Sequence, residues 1–195
     1  MEAARETTEK IDRAGENADT GEAPMEEAAA TGQDEKAVLP GSMDDWEQFL
    51  AFQDLLGDDA PQKYDDFQKL KQYNPDGWAE LEEEARKEQV IRSAPCELTE
   101  KKFSGFFLRP GAKHADDFFN VGYTSDHIRQ LRYDIASQYN LDKAIEWAKT
   151  GDGKSRFNIY MELGTHRKKY FCIGWVIDSP EEAPRIVTGF RRQPK

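Results

Sequence analysis

Cysteine is scarce in this chain. Cys96 and Cys172 are the only two in 195 residues, too few for a disulfide scaffold or for a zinc site of linked CxxC pairs. Long apolar runs are missing, and none approaches the ~18 residues of a membrane-spanning helix. The first thirty residues lack the basic-then-apolar order of a secretory leader. Aromatic side chains are absent before Trp46. There is no glycine-rich phosphate loop, GxSxG elbow, HExxH pair or dinucleotide fingerprint. Asp116-Asp117 and Glu181-Glu182 are adjacent carboxylates rather than a spaced, convergent cluster, which argues against a metal-dependent nuclease. These absences lead us to expect a soluble cytoplasmic protein with no metal, no cofactor and no membrane partner.

What is present is charge, unevenly spread. The net charge is -11, from 27 Lys/Arg and 38 Asp/Glu. Residues 1–95 hold 10 basic and 25 acidic side chains (-15), and residues 96–195 hold 17 and 13 (+4), which together give -11. Residues 1–42 carry eleven acidic and four basic side chains with nine alanines. Such a segment buries too little apolar surface to offset the entropy of ordering it, so we expect a disordered acidic tail. It is either a solubilising segment or a shield for a basic site.

Residues 43–95 read as a helical adaptor or linker. Asp44 or Asp45 caps a helix carrying Trp46, Phe49, Leu50, Phe52 and Leu56, stopped by Gly57. Tyr64, Phe67, Leu70 and Tyr73 repeat the spacing. Asn74-Pro75-Asp76-Gly77 then opens a helix from about Pro75 to Ser93, with Trp78, Leu81 and Ala85 on one face.

Residues 96–195 read as an α+β domain. Lys102–Leu108 suggests a short strand or extended segment, and a helix is expected from about Ala112 to Asn120. Thr124 or Ser125 caps a further helix bearing Ile128, Leu131, Ile135 and Tyr139. Residues 141–149 fit helix or strand. Phe157, Ile159, Met161 and Leu163 alternate as a half-buried strand, 170–178 is apolar on both faces as a central strand, and 185–191 alternates again. The expected fold is N-terminal helices packed on an antiparallel sheet of about four strands.

Candidate chemistry gathers around cations. Lys113-His114, entered through Arg109-Pro110-Gly111 at an expected helix start, is either a phosphate-binding corner or a polar first turn. His127 reads as surface. His166 lies in the cationic stretch Thr165–Lys169, which is either a solvated hairpin tip or, beside Tyr160, Trp175 and Arg191, a surface for phosphates and bases. Cys172, in an apolar run, reads as core.

The run Phe106-Phe107-Leu108-Arg109-Pro110-Gly111-Ala112-Lys113-His114-Ala115, then Phe118-Phe119-Asn120-Val121-Gly122-Tyr123-Thr124 and the closing Pro184-Arg185-Ile186-Val187-Thr188, resembles the C-terminal toxin domains of polymorphic-toxin and prophage proteins. Those domains belong to the barnase–EndoU–colicin–RelE ribonuclease superfamily. The resemblance covers roughly residues 100–192. Tyr64–Lys71 through Trp78 is similar to the segment preceding toxin domains in phage minor-capsid proteins. The resemblance implies metal-independent RNA cleavage by attack of the ribose 2′-OH, leaving a 2′,3′-cyclic phosphate. It implies His114, Lys113, Thr188 and His166 as catalytic residues. Arg109, Tyr160, Arg167, Lys168, Trp175 and Arg191 would then contact substrate. The implied partners are RNA (tRNA among the classes), a cognate immunity protein and phage structural proteins, in a bacterial cytoplasm or a virion. Two alternatives stay open: a non-catalytic phage-head or RNA-binding module on the same fold, and an interaction protein whose acidic segment meets a basic partner.

Overall fold

The computed structural model describes residues 44–194, and the acidic segment 1–42 lies outside the described residues. The described chain is α+β, with six helices packed on a four-stranded antiparallel sheet in the order β1-β2-β3-β4. The helices are α1 (Asp45–Leu56), α2 (Tyr64–Tyr73), α3 (Pro75–Ser93), α4 (Glu100–Lys102), α5 (Ala115–Phe119) and α6 (Ile128–Ala136). The strands are β1 (Ile145–Lys149), β2 (Ser155–Leu163), β3 (Lys169–Ile177) and β4 (Arg185–Arg191). No described helix is long and apolar enough to cross a membrane.

Local chemistry accounts for most boundaries. The Asp44 carboxylate accepts from the Glu47 amide, and Gly57 ends α1 at φ 58°. Asn74 caps α3 by accepting from the Gly77 amide, and Pro75 occupies the first turn where its missing N–H has no consequence. The Thr124 hydroxyl accepts from the Asp126 amide, while Nδ1 of His127 accepts from the Thr124 amide at 3.1 Å. His127, read as surface, closes a capping box on the 3₁₀ turn (Ser125–His127) that leads into α6.

Two apolar clusters form. Phe49, Phe52, Leu56, Phe67, Leu81 and Ala85 make one among α1, α2 and α3. The larger holds Phe103, Phe107, Phe118, Tyr123, Leu131 and Ile135 against Phe157, Ile159, Phe171, Ile173 and Trp175 of the sheet. Helix α3 contributes to both, with Leu81 and Ala85 in the first and Ile91 in the second. Charges stitch the two together. Buried Glu88 accepts from Arg132 and lies 3.6 Å from Arg129, and Arg129 also pairs with Glu84 and Asp59. Lys71, Arg86, Lys87 and Arg92 in this half each have a carboxylate partner.

Two elements depart from the sequence reading. Residues 102–108 are not extended: α4 runs into a π-helical turn, Phe103–Phe107, where the Leu108 amide donates to the Phe103 carbonyl. The helical path brings both rings into the core, 5.3 Å apart and edge-on, whereas a strand would leave them in a line along one face. The helix expected over 112–120 is only Ala115–Phe119. Gly111 at φ 77° and His114 at φ 69° break the chain before it. Residues 141–149, which fitted either state, divide into a 3₁₀ turn (Leu141–Lys143) and strand β1.

The register sets which side chains meet solvent. Phe157 pairs with Trp175, Ile159 with Ile173 and Met161 with Phe171, all toward the helices. Asn158, Tyr160 and Glu162, opposite Gly174, Cys172 and Tyr170, therefore lie on the outer face. Between β3 and β4 the pairing steps from Gly174–Thr188 to Trp175–Ile186, so Val187 is an extra residue in β4, a β-bulge. Ile186 points inward, while Thr188 and Phe190 join the outer face.

Candidate functional site

Short helix α5 organises the end of the sheet where the unpaired cations gather. At its start, the His114 ring lies 5.3 Å from that of Phe190, and Nδ1 is 3.5 Å from the Asp117 carboxylate. That carboxylate also accepts from the Arg191 amide at 3.2 Å, so α5 closes the free edge of β4 there. Beyond α5, the amides of Thr165 and His166 both donate to the Val121 carbonyl, and Arg167 Nε donates to the Asn120 carbonyl. One five-residue helix thus positions the 109–114 loop, the β2–β3 hairpin and the terminus of β4.

Outer-face residues run in rows across the strands. Tyr160, Cys172 and Phe190 form one row, extended past the edge of β4 by His114. Asn158, Gly174 and Thr188 form the next. Gly174 matters here because a Cβ on it would lie 2.6 Å from Thr188 Cγ2 and 3.2 Å from Asn158 Oδ1. The central strand is therefore notched, and its neighbours close over the notch. Asn158 donates to Glu146 of β1 at 2.7 Å. Cys172 is buried between Tyr160 and Phe190, and burial raises its thiol pKa, although Arg192 acts the other way. It is a covered thiol, unsuited to nucleophilic chemistry.

No family model, curated protein or solved structure matches the chain. The site must therefore be read from its own chemistry. Among the described residues no group of three or more His, Cys, Asp or Glu side chains is placed to hold a metal ion.

The predicted residues separate into three sets. His114, Thr188 and Tyr160 lie on or at the edge of the outer face in adjacent rows. Arg109, Lys113, Lys168 and Arg191 are exposed cations without a carboxylate partner among the described residues, and Arg191 lines a pocket of about 430 Å³ with Lys169, Arg192 and Gln193. Arg167 is exposed but has its Nε engaged by Asn120.

His166 is not brought to His114. It faces a separate pocket with Leu108, Pro110, Phe119 and Tyr123, and shares no hydrogen bond or ring contact with His114. Trp175 is a correction. It is fully buried on the helix side, with Phe157 parallel to it at 6.4 Å and Tyr139 edge-on at 4.8 Å, so no ligand can stack on it. The helix start expected at Lys113-His114 falls later, at Ala115. His114 is left-handed and outside α5, which is too short to present an aligned set of amides.

Sequence reasoning passed over Asp117, Asn158 and Arg192. Asp117 faced away from Asp116 as an isolated carboxylate, and only α5's docking on β4 gives it His114 and the Arg191 amide. The Arg192 amide donates to the Tyr170 carbonyl, placing its side chain on the outer-face side of β4. A parity count through 185–191 could not find it, because the bulge at Val187 inverts the alternation.

Proposed function

We propose that the protein is a metal-independent endoribonuclease. The single observation supporting this best is the unpaired cations beside the row Tyr160–Cys172–Phe190–His114. Arg86, Arg92, Arg129, Arg132 and Arg185 are matched to carboxylates, while Lys169, Arg191 and Arg192 line one pocket with no carboxylate partner among the described residues and are left for an external anion. An RNA strand supplies that anion as a line of phosphates.

In this reading Asp117 holds the imidazole at Nδ1, leaving Nε2 of His114 to take the ribose 2′-proton. The 2′-oxygen bonds to phosphorus, the P–O5′ bond breaks, and solvent supplies the proton to the departing 5′-oxygen. The products are a 2′,3′-cyclic phosphate and a 5′-OH. Lys113 and Arg192 offset the charge developing on the phosphoryl oxygens, and Thr188 donates a hydrogen bond to one of them.

The position of His166 favours a second reading. With one imidazole at the sheet edge and the other seated on Gly122, an acid–base pair is lacking, and an RNA-binding module without turnover accommodates this. The test is incubation of structured and single-stranded RNA with the full chain in excess EDTA, alongside His114→Ala. Cyclic phosphate ends that vanish in the variant support the nuclease. Intact RNA bound by folded protein supports the binding module.

A further inference from the structure

The pocket that receives His166 has features of its own. It is about 370 Å³, inside the ~300–1,000 Å³ range of small-molecule sites. Its floor is apolar, formed by buried Leu108 and Tyr123, and partly buried Phe119 lines one side. Pro110 and Thr124 complete the rim with the exposed imidazole of His166. Among the described residues no side-chain hydrogen bond engages that imidazole, and its Nδ1 lies over Gly122, so Nε2 is the nitrogen left for a ligand. Two arginines without a carboxylate partner among the described residues neighbour lining residues in sequence: Arg109 sits between Leu108 and Pro110, and Arg167, whose Nε is held by the Asn120 carbonyl, follows His166.

The seat of the imidazole is built in the backbone. Gly122 has φ 101°, and a Cβ there would lie 2.3 Å from Thr165 Oγ1 and 2.6 Å from His166 Nδ1. A side chain at 122 would push the hairpin off α5 and open the pocket. The backbone is therefore arranged to bring His166 close to the 119–124 loop, which a solvated hairpin tip does not require.

We infer that this pocket binds a single unstacked nucleobase, with Phe119 stacking on its face, His166 hydrogen-bonding its edge and Arg109 and Arg167 holding the adjacent phosphates. The inference rests on the RNA reading above and assigns His166 to recognition rather than to proton transfer. An aromatic wall, an apolar floor, a polar rim and flanking cations are the features by which proteins hold splayed-out bases. An apolar small molecule would use the floor and wall but give the two arginines no role.

The test uses the full chain and the four ribonucleoside 3′-monophosphates, which carry no scissile diester, with inorganic phosphate as the reference probe. Binding is followed by calorimetry. At least one nucleotide is expected to bind roughly tenfold or more tighter than phosphate, the scale of one base–aromatic stack. That preference is expected to disappear in His166→Ala and in Phe119→Ala. His166 is exposed, so its variant keeps the fold even if Phe119→Ala does not. Equal affinity for nucleotides and phosphate overturns the inference, as does a preference that survives His166→Ala. Preference without RNA cleavage overturns the nuclease alone, and cleavage without preference overturns the pocket alone.

Discussion

The phenol of Tyr123 is buried and engaged by two partners, and removing it gives a large, calculable loss. The ring is fully buried. Its hydroxyl donates to the buried Asp134 carboxylate of α6 and accepts from the Gly164 amide at 3.0 Å. Burial, and then the Asp134 carboxylate, hold the phenol protonated well above the ordinary tyrosine range. Tyr123→Phe preserves the ring and creates almost no cavity, so the whole effect belongs to the oxygen. Two buried groups then lose their partner. An orphaned amide costs about 1–3 kcal/mol, and a lost hydrogen bond to a charged group about 1.5–3. Gln130 still donates to the other Asp134 oxygen at 2.9 Å, which limits the second term. The expected loss is about 3–5 kcal/mol, a drop in Tm of roughly 10 °C for a domain of this size. Urea denaturation followed by far-UV circular dichroism measures it. In the double variant with Asp134→Ala, the losses should be less than additive by about 0.5–3 kcal/mol. A loss for Tyr123→Phe below about 1 kcal/mol, or full additivity, would refute the assignment of this oxygen as a shared anchor.

Other packing and charge contacts carry their own expectations. Gly122→Ala should destabilise the fold by about 2 kcal/mol or more, because the residue combines φ 101° with a 2.3 Å approach to Thr165 Oγ1; a thermal melt within 1 °C of wild type would be inconsistent with this packing. Trp175→Ala should cost about 3–5 kcal/mol, and Trp147→Ala much less, since Trp147 stacks on Phe157 from an exposed edge strand. Burial pushes the Cys96 thiol up to about 12 and is the main cause of the Tyr139 phenol rising to about 12. With Tyr123, these groups keep their protons in the folded state while the unfolded chain releases them. Stability is therefore fully present below about pH 8.5 and falls as pH rises through 9 and 10. A urea midpoint that stays flat from pH 7 to 10.5 would contradict this. Arg192→Ala should weaken single-stranded RNA binding and lower the salt-dependence slope by about 0.7 per lost phosphate contact; an unchanged slope would remove Arg192 from the interface.

Helices α1, α2 and α3 and the capping of α6 were legible because their signals are local. Asp44, Asn74-Pro75 and Thr124 each act within a few residues, and apolar spacing at three and four marks the buried side. Strand β2 was equally plain. What escaped depended on partners distant in sequence. Phe103 and Phe107 fit a strand by composition, and only their shared core with Phe118 and Gly189 explains the π-helical turn. Trp175 sits in a run apolar on both faces, from which no count can tell the covered side. Thr188 and Phe190 owe their outward orientation to one extra residue, Val187, whose presence is a property of the β3–β4 pairing. For the candidate site, cationic composition drew attention to the end of the sheet where Lys169, Arg191 and Arg192 share a pocket. The grouping of His114 with Asp117, and the separation of His166, required α5 to be docked.

Helix α3 gives the fold a mechanical character. Nineteen residues at 1.5 Å rise make a rod about 28 Å long, seated in one apolar cluster near its start and in the other at its end. A chain drawn from its amino end would first load α1 and α2, held to the rod by aromatic packing around Phe52, Phe67 and Trp78 and by the Arg92–Asp54 ion pair. The pull would then reach the stretch from Glu88 to Ile91, where Arg129 and Arg132 clasp the glutamate and Ile91 enters the sheet's core. That stretch is a latch. Until it yields, tension applied upstream leaves the sheet and its cationic end intact.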